Sequence, residues 1–222
     1  MFKLGQEVDL MSNYPRSFRD VEGRENQKTE SDRRVARRFD QEFFDGSRNT
    51  GYGGFSYDPR FWEPVVPVFT RHFGLEPGMR VLDIGCAKGF MAYDLARLIP
   101  GLQVYGLDVS EYAIRNSKPE VRNCLQVADA RRLPFADGAF DVVFSITTLH
   151  NLVRDDLAEA LREIERVGKG RSFITVDAYE NERERVRMNA WNLTALTVMH
   201  VKEWRDFFAA VGYGGDFYWF RP

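Results

Sequence analysis

From Met79 onward, short apolar runs alternate with stretches in which apolar residues return every three or four positions. The first pattern predicts buried strands and the second amphipathic helices. "MRVLDIG" reads as a strand, and "KGFMAYDLARLI" as a helix with Met91, Leu95 and Leu98 on one face. "LQVYGLDVS" is strand two, "SEYAIRNS" opens a helix, and "NCLQVADA" is strand three. "FDVVFSI" (140–146) is apolar without interruption, as expected of a strand covered on both faces. "DDLAEALREIERVG" puts Leu157, Leu161 and Ile164 in register, with Gly168 as its stop. "SFITVDA" is strand five, "VKEWRDFFAAVG" a helix with Trp204, Phe207, Phe208 and Val211 inward, and "DFYWF" a last strand. Alternating strands and helices predict an α/β fold, a doubly wound, mostly parallel sheet with helices on both faces. Ligands of such sheets sit at the carboxyl ends of the strands.

The pattern is weaker before Met79. Residues 1–30 are polar and read as irregular, whereas "ESDRRVARRFDQEFF" (30–44) reads as a helix with Val35, Phe39 and Phe43 on one stripe. "DGSRNTGYGGFSYD" (45–58) is a Gly-rich loop full of aromatics. "PRFWEPVVPVFTRHFG" is expected to be helical only in its second half, because Pro64 and Pro67 each remove an N–H donor. These breaks divide the chain into an N-terminal extension and lid (1–74) and a core (75–222).

Composition narrows the function classes. The chain has 222 residues, 44% apolar and 29% charged, with a net charge of −2. This predicts a soluble globular protein with no bulk attraction to nucleic acid or anionic membrane. No apolar run reaches the ~20 residues of a membrane span, and the N-terminus lacks the apolar centre of a signal peptide. Cys86 and Cys124 are the only cysteines. They suggest reduced thiols and a cytoplasmic setting, and neither has the neighbours of a metal site.

In "VLDIGCAKGF" (81–90), small residues fall at alternate positions, Gly85, Ala87 and Gly89, just beyond the first strand. A nucleotide would approach there. The dinucleotide register G-x-G-x-x-G reads Gly85, Ala87, Phe90, and the phenylalanine stands where a third glycine should allow close packing. Alternation of small residues fits throughout. Asp108, at the end of strand two, can accept both hydroxyls of a ribose.

Taken together, "PGMRVLDIGCAKGF", "GLDVSEYAI" and "VADARRLPFADGAFDVVFSITTLHNL" (127–152) resemble the class I S-adenosylmethionine-dependent methyltransferases over at least residues 77–176. The resemblance implies a Rossmann-like sheet of six or seven strands and S-adenosylmethionine as cofactor. It implies that Asp83 and the turn Gly85–Gly89, Cys86 included, hold the methionine part. By the same resemblance Asp108 holds the ribose, Val109 packs on the adenine, Asp129 accepts from the adenine amino group and the Ala130 N–H meets the ring. Ser145 and the following turn flank the methyl group. Two departures stand out: Ala87 replaces the usual middle glycine, and only "DFYWF" follows the last helix where the family usually has two strands. "LTALTVM" (193–199) is one source of a further strand. The flanks resemble small bacterial methyltransferases associated with sugar modification.

Methyl transfer from a sulfonium needs alignment, exclusion of water and, for an unactivated hydroxyl, removal of a proton. His150, after strand four, suits a general base, and Asp177 at the end of strand five is the second candidate. Either could instead be structural. Tyr52 and Tyr57 with Phe55 could form an aromatic lid near the sulfonium or merely cover a sheet edge. Tyr179, Trp191 and Asn192 are candidates for the acceptor pocket. Arg33, Arg34, Arg37 and Arg38 read as a solvated face paired with acids, with anion binding as the alternative. Lys88 answers either the cofactor carboxylate or solvent.

An aminomethylase of nucleic acids should carry an Asn/Asp-Pro-Pro-aromatic turn where this chain has "SITTLHN". The expectation is a methyltransferase of a small molecule, leaning to oxygen of a sugar or of a phosphorylated or acidic metabolite. A non-catalytic cofactor-binding module and an N-methyltransferase are the alternatives. Neither nucleic acid nor membrane is expected as partner, and a homodimer is left open.

Overall fold

The computed structural model describes residues 4–15, 21 and 28–222. Seven strands form one sheet: β1 (Arg80–Ile84), β2 (Gln103–Asp108), β3 (Leu125–Val127), β4 (Val142–Ile146), β5 (Ser172–Tyr179), β6 (Met199–His200) and β7 (Asp216–Phe220). The order is β3-β2-β1-β4-β5-β6, with β7 also paired to β5. All of these pairs are parallel. The strand reversal lies between β1 and β4, which carries the carboxyl ends of β1, β2 and β4 to one cleft.

Nine helices surround the sheet among the described residues: α1 (Glu30–Ala36), α2 (Gln41–Asp45), α3 (Pro59–Trp62), α4 (Val66–Phe73), α5 (Phe90–Leu98), α6 (Glu111–Arg115), α7 (Arg154–Val167), α8 (Glu182–Trp191) and α9 (Val201–Val211). Alternate strand residues feed two cores, as the period of two requires. Leu82, Ile84, Val143, Ile174 and Val176 meet Leu157, Leu161 and Ile164 of α7 and Trp204, Phe207 and Phe208 of α9. Val81, Val142, Phe144 and Phe173 meet Val66, Phe69 and Phe73 of α4 and Met91 and Leu95 of α5. Phe69 stacks on Phe144 at 4.8 Å.

Several elements differ from the sequence reading. The stretch 30–44 is two helices, not one. Phe39 turns left-handed (φ 51°), and the Asp40 side chain then accepts the Glu42 N–H and caps a new helix. Leu98, expected inward, is 39% exposed, because it flanks a 520 Å³ groove between α4 and α5. Glu182–Trp191, for which the sequence reading offered no element, is helical and starts on an Asn181 cap. From "LTALTVM" only Met199 enters a strand. The polar start of the chain contributes Glu7, which bridges to Phe217 of β7.

Candidate functional site

The turn after β1 is shaped by its backbone. Gly85, Ala87 and Gly89 all have positive φ (78°, 50° and 75°). The small residues at alternate positions therefore answer a conformational demand first. The neighbours that exclude side chains are the protein's own. A Cβ on Gly85 would lie 2.2 Å from Thr148 Oγ1, and one on Gly89 2.6 Å from Leu125 Cδ1. The turn is stitched to the end of β2: the N–H groups of Gly85 and Cys86 both donate to Leu107 O, at 2.7 and 2.9 Å. Cys86 is buried, which pushes its thiol up.

Two carboxyl groups lie beneath this turn. Asp108 is buried and accepts the Ser110 N–H on Oδ1 and the Ala87 N–H on Oδ2, both at 2.9 Å. Burial raises its pKa, and these N–H donors oppose the shift. Asp83 is 4% exposed, and no hydrogen-bond donor among the described residues reaches its carboxyl group. Burial, with the neighbouring Asp108, pushes its pKa up to about 8. A buried acid without a donor keeps its proton, and a cation bound beside it would favour the ionised form. Beside it the apolar Val109 is 57% exposed and Val127, paired with Asp108 across the ladder, is 47% exposed. This donor set fits S-adenosylmethionine: Asp83 faces the need for positive charge, Asp108 keeps lone pairs for two hydroxyls, and the two valines offer an apolar seat.

Other candidates stand in different surroundings. Asp129 is gripped by Arg131 Nε and Nη2 (2.9 and 2.6 Å to Oδ2), which holds its carboxyl below the usual range, and Arg131 also reaches Asp156. Ala130 packs against the sheet core. Ser145 is fully buried, and its hydroxyl donates to Ile84 O at 3.0 Å, tying β4 to β1. The following turn, rather than Ser145, carries exposed groups: Thr147 is exposed with φ 51°.

His150 and Asp177 meet. The Asp177 N–H donates to His150 Nδ1 at 3.1 Å, and the Asp177 carboxylate lies 3.4 Å from the same nitrogen. The N–H bond calls for a proton-free Nδ1 with the proton on Nε2, whereas the carboxylate beside Nδ1 favours the opposite tautomer of His150. Burial lowers its pKa, partly opposed by Asp177. In the tautomer that accepts the Asp177 N–H, His150 presents an Nε2–H group. The carbonyl of Asp177 accepts the Trp204 indole N–H at 3.0 Å.

Of the acceptor-pocket candidates, Tyr179 meets His200 edge-on at 5.7 Å. Trp191 lies 6.5 Å from Phe220. The Asn192 side chain both donates to Ala195 O and accepts its N–H, shaping its own loop. Tyr52 stacks on Phe43 at 5.2 Å and donates to Gly54 O; its phenol is raised by burial, with the charges of Tyr14, Asp45 and Asp108 adding. Tyr57 donates to Asp94 Oδ1 at 2.8 Å, and burial and that bond push it up to about 12. Lys118 lies over the rings of Tyr57 and Tyr93.

Some connections escaped the sequence reading. Lys88 is buried and binds Asp45 and, at 2.7 Å, Phe55 O; Tyr112 donates to the other Asp45 oxygen at 2.9 Å. The aromatic segment is thereby fastened over the start of α5. Thr148, which fills the space at Gly85, carries no sequence signal beyond its place after a strand. Among the described residues no cluster of His, Cys, Asp or Glu could hold a metal ion, and no helix is long and apolar enough to cross a membrane.

Residues 82–176 match the methyltransferase domain family. A malonyl-[acyl-carrier protein] O-methyltransferase of Legionella pneumophila is 32% identical over 131 residues, 57% of this chain and 45% of that protein. A 2-methyl-6-phytyl-1,4-hydroquinone methyltransferase of Synechocystis is 33% identical over 122 residues, 53% of this chain and 37% of its own length. The chain thus spans less than half of either relative. The solved YcgJ protein of Bacillus subtilis shares the fold with a TM-score of 0.52 at 22% identity, covering 66% of each chain. A parallel sheet reversing between β1 and β4 thus carries a segment, Leu82 to Val176, that is similar to the methyltransferase domain, in keeping with the class I S-adenosylmethionine-dependent methyltransferases.

Proposed function

We propose that this chain methylates a small acceptor, at oxygen, and that the acceptor is a sugar derivative or metabolite carrying an acidic or phosphoryl group. The observation that carries the cofactor half is the donor-free, buried Asp83 beside Asp108 under the turn. S-adenosylmethionine would supply an electrophilic methyl group: an already ionised acceptor oxygen would form the carbon–oxygen bond as the sulfur–carbon bond breaks, with S-adenosylhomocysteine as the leaving group. Asp108 would hold the ribose with the lone pairs that Ala87 and Ser110 leave, and Val109 and Val127 would flank the adenine. For Asp129 to accept from the adenine, it must do so beside its Arg131 partner.

The Nε2–H tautomer of His150 supports the acidic lean. An acceptor that arrives anionic needs no proton removed, and an Nε2–H group can hold its oxygen in place. The aromatic segment 45–62 acts in this reading as a lid, fastened by Asp45 to Lys88 and Tyr112 and by Tyr57 to Asp94.

Calorimetry tests the reading. S-adenosylhomocysteine should bind in the micromolar range and NAD not comparably. Asp108→Ala should weaken binding by ~30–150-fold, about 2–3 kcal/mol, through loss of bonds to a charged acceptor. An unchanged affinity would remove the cofactor from this cleft.

A further inference from the structure

We propose that α1 and the residues just before it position the acceptor side of the site: Lys28, Arg33 and Arg37 hold the 192–197 loop by its carbonyl groups and thereby set the place of His150. The loop is unusual. It is irregular in backbone, yet Leu193, Thr194, Ala195 and Thr197 are all at least nine-tenths buried. Loops normally run over the surface, because buried backbone groups must find partners.

The partners come from two sides. Lys28 Nζ donates to Trp191 O at 2.7 Å, Arg33 Nε to Asn192 O at 3.4 Å and Arg37 Nε to Thr194 O at 3.4 Å. Trp191 ends α8, whose last turn contains no basic residue of its own. Carbonyl groups at a helix C-terminus carry partial negative charge and favour cations. Glu30 braces the two arginines, at 3.8 Å from Arg33 and 3.4 Å from Arg37. On the other side, the N–H groups of Leu196 and Thr197 both donate to His150 O at 2.9 Å, and Thr197 Oγ1 donates to Leu152 O at 2.7 Å. The loop is thus a spacer between the cations and the turn that carries His150. Leu196 of the loop and Val153 after the His150 turn are both exposed (50% and 49%) and stand on the two sides joined by these bonds.

Arg33, Arg37 and Lys28 are positioning residues in this scheme, and the arginines are not an anion site. The idea goes beyond the methyl-transfer reading and does not depend on the identity of the acceptor. The test uses the full chain, labelled with ¹⁵N. In the double variant Arg33→Gln/Arg37→Gln, amide hydrogen exchange at Leu196 and Thr197 should rise ~10-fold. The ring nitrogens of His150 should move from the Nε2–H signature toward an average of tautomers. Arg→Lys at both positions should recover part of each effect. Affinity for S-adenosylhomocysteine should stay within about twofold, since no cofactor-side group is touched. Should the double variant fail to fold, Arg33→Gln and Arg37→Gln alone should each give ~3-fold faster exchange at the same two amides. Unchanged exchange and unchanged His150 signals would overturn the proposal. So would equal acceleration at Val143 and Phe144 in the central strand, which would mean general loosening. Failure of the wild type to bind S-adenosylhomocysteine would instead sink the methyltransferase reading and leave this test standing.

Discussion

The proposed cofactor side and the proposed acceptor side are built in opposite ways. Asp83, the Gly85–Gly89 turn and Asp108 belong to one βαβ unit, and their mutual bonds run between adjacent parallel strands. The acceptor side is assembled from four distant segments: Lys28–Arg37, His150, Asp177 and the 192–197 loop. The first needs only two strands in register. The second needs the whole fold, and it ends in long side chains that reach for backbone carbonyls. A rigid seat and an adjustable wall follow from that difference.

The comparison breaks most visibly at Gly85. Gly85→Val combines a left-handed backbone with a clash against Thr148 and should cut S-adenosylhomocysteine affinity by ~100-fold or more, about 3 kcal/mol. If the seat is local, Thr148→Ala should return part of that affinity, and Leu196 exchange should not change. Full binding by the single variant would show the turn to be slack.

Asp83 gives the next largest effect. Folded, it keeps its proton up to about pH 8, against 3.8 for an ordinary aspartate. Its raised pKa means that its contribution to stability is complete below 3.8 and is lost as pH rises through 8. A bound cation favours the carboxylate, so binding should expel a proton near neutrality. Affinity should rise with pH below 8, by up to ~10-fold per unit, and the heat of binding should depend on the buffer. Asp83→Asn should lose both dependences; if it keeps them, the titrating group lies elsewhere.

The smallest effect sharpens the picture of the turn. Ala87 holds φ 50° where glycine would rest unstrained. Ala87→Gly should raise stability by about 1 kcal/mol or less, and Tm by ~1–3 °C, with cofactor affinity unchanged. A lower Tm would show that the Ala87 methyl group is needed for packing.

What could be read from the sequence follows the same division. Strand runs, the spacing of Gly85, Ala87 and Gly89, and the place of Asp108 are local patterns, and they point to the end of the sheet where the cofactor is proposed to bind. The reason for the glycines was only partly legible, since Thr148 and Leu125 fill the space that a ligand was expected to need. The place of His150 after strand four was legible but its partner was not: Nδ1 meets a backbone N–H of β5, which no residue type announces. Arg33 and Arg37 pair with Glu30 as the sequence suggested, but their other partners, carbonyl groups more than a hundred residues away, were not legible. Lys88 was ambiguous for the same reason, its acid being Asp45 in the extension.

The bridge between Glu7 and Phe217 has a consequence for the chain's company in solution. β7 lies beside β5, and its outward ladder groups at Phe217 are taken by Gln6 O and the Val8 N–H, at 3.0 Å each. Without that cover, "DFYWF" would offer an aromatic strand edge to any other chain, the commonest seed of edge-to-edge aggregation. The polar beginning of the chain therefore acts as a guard on solubility.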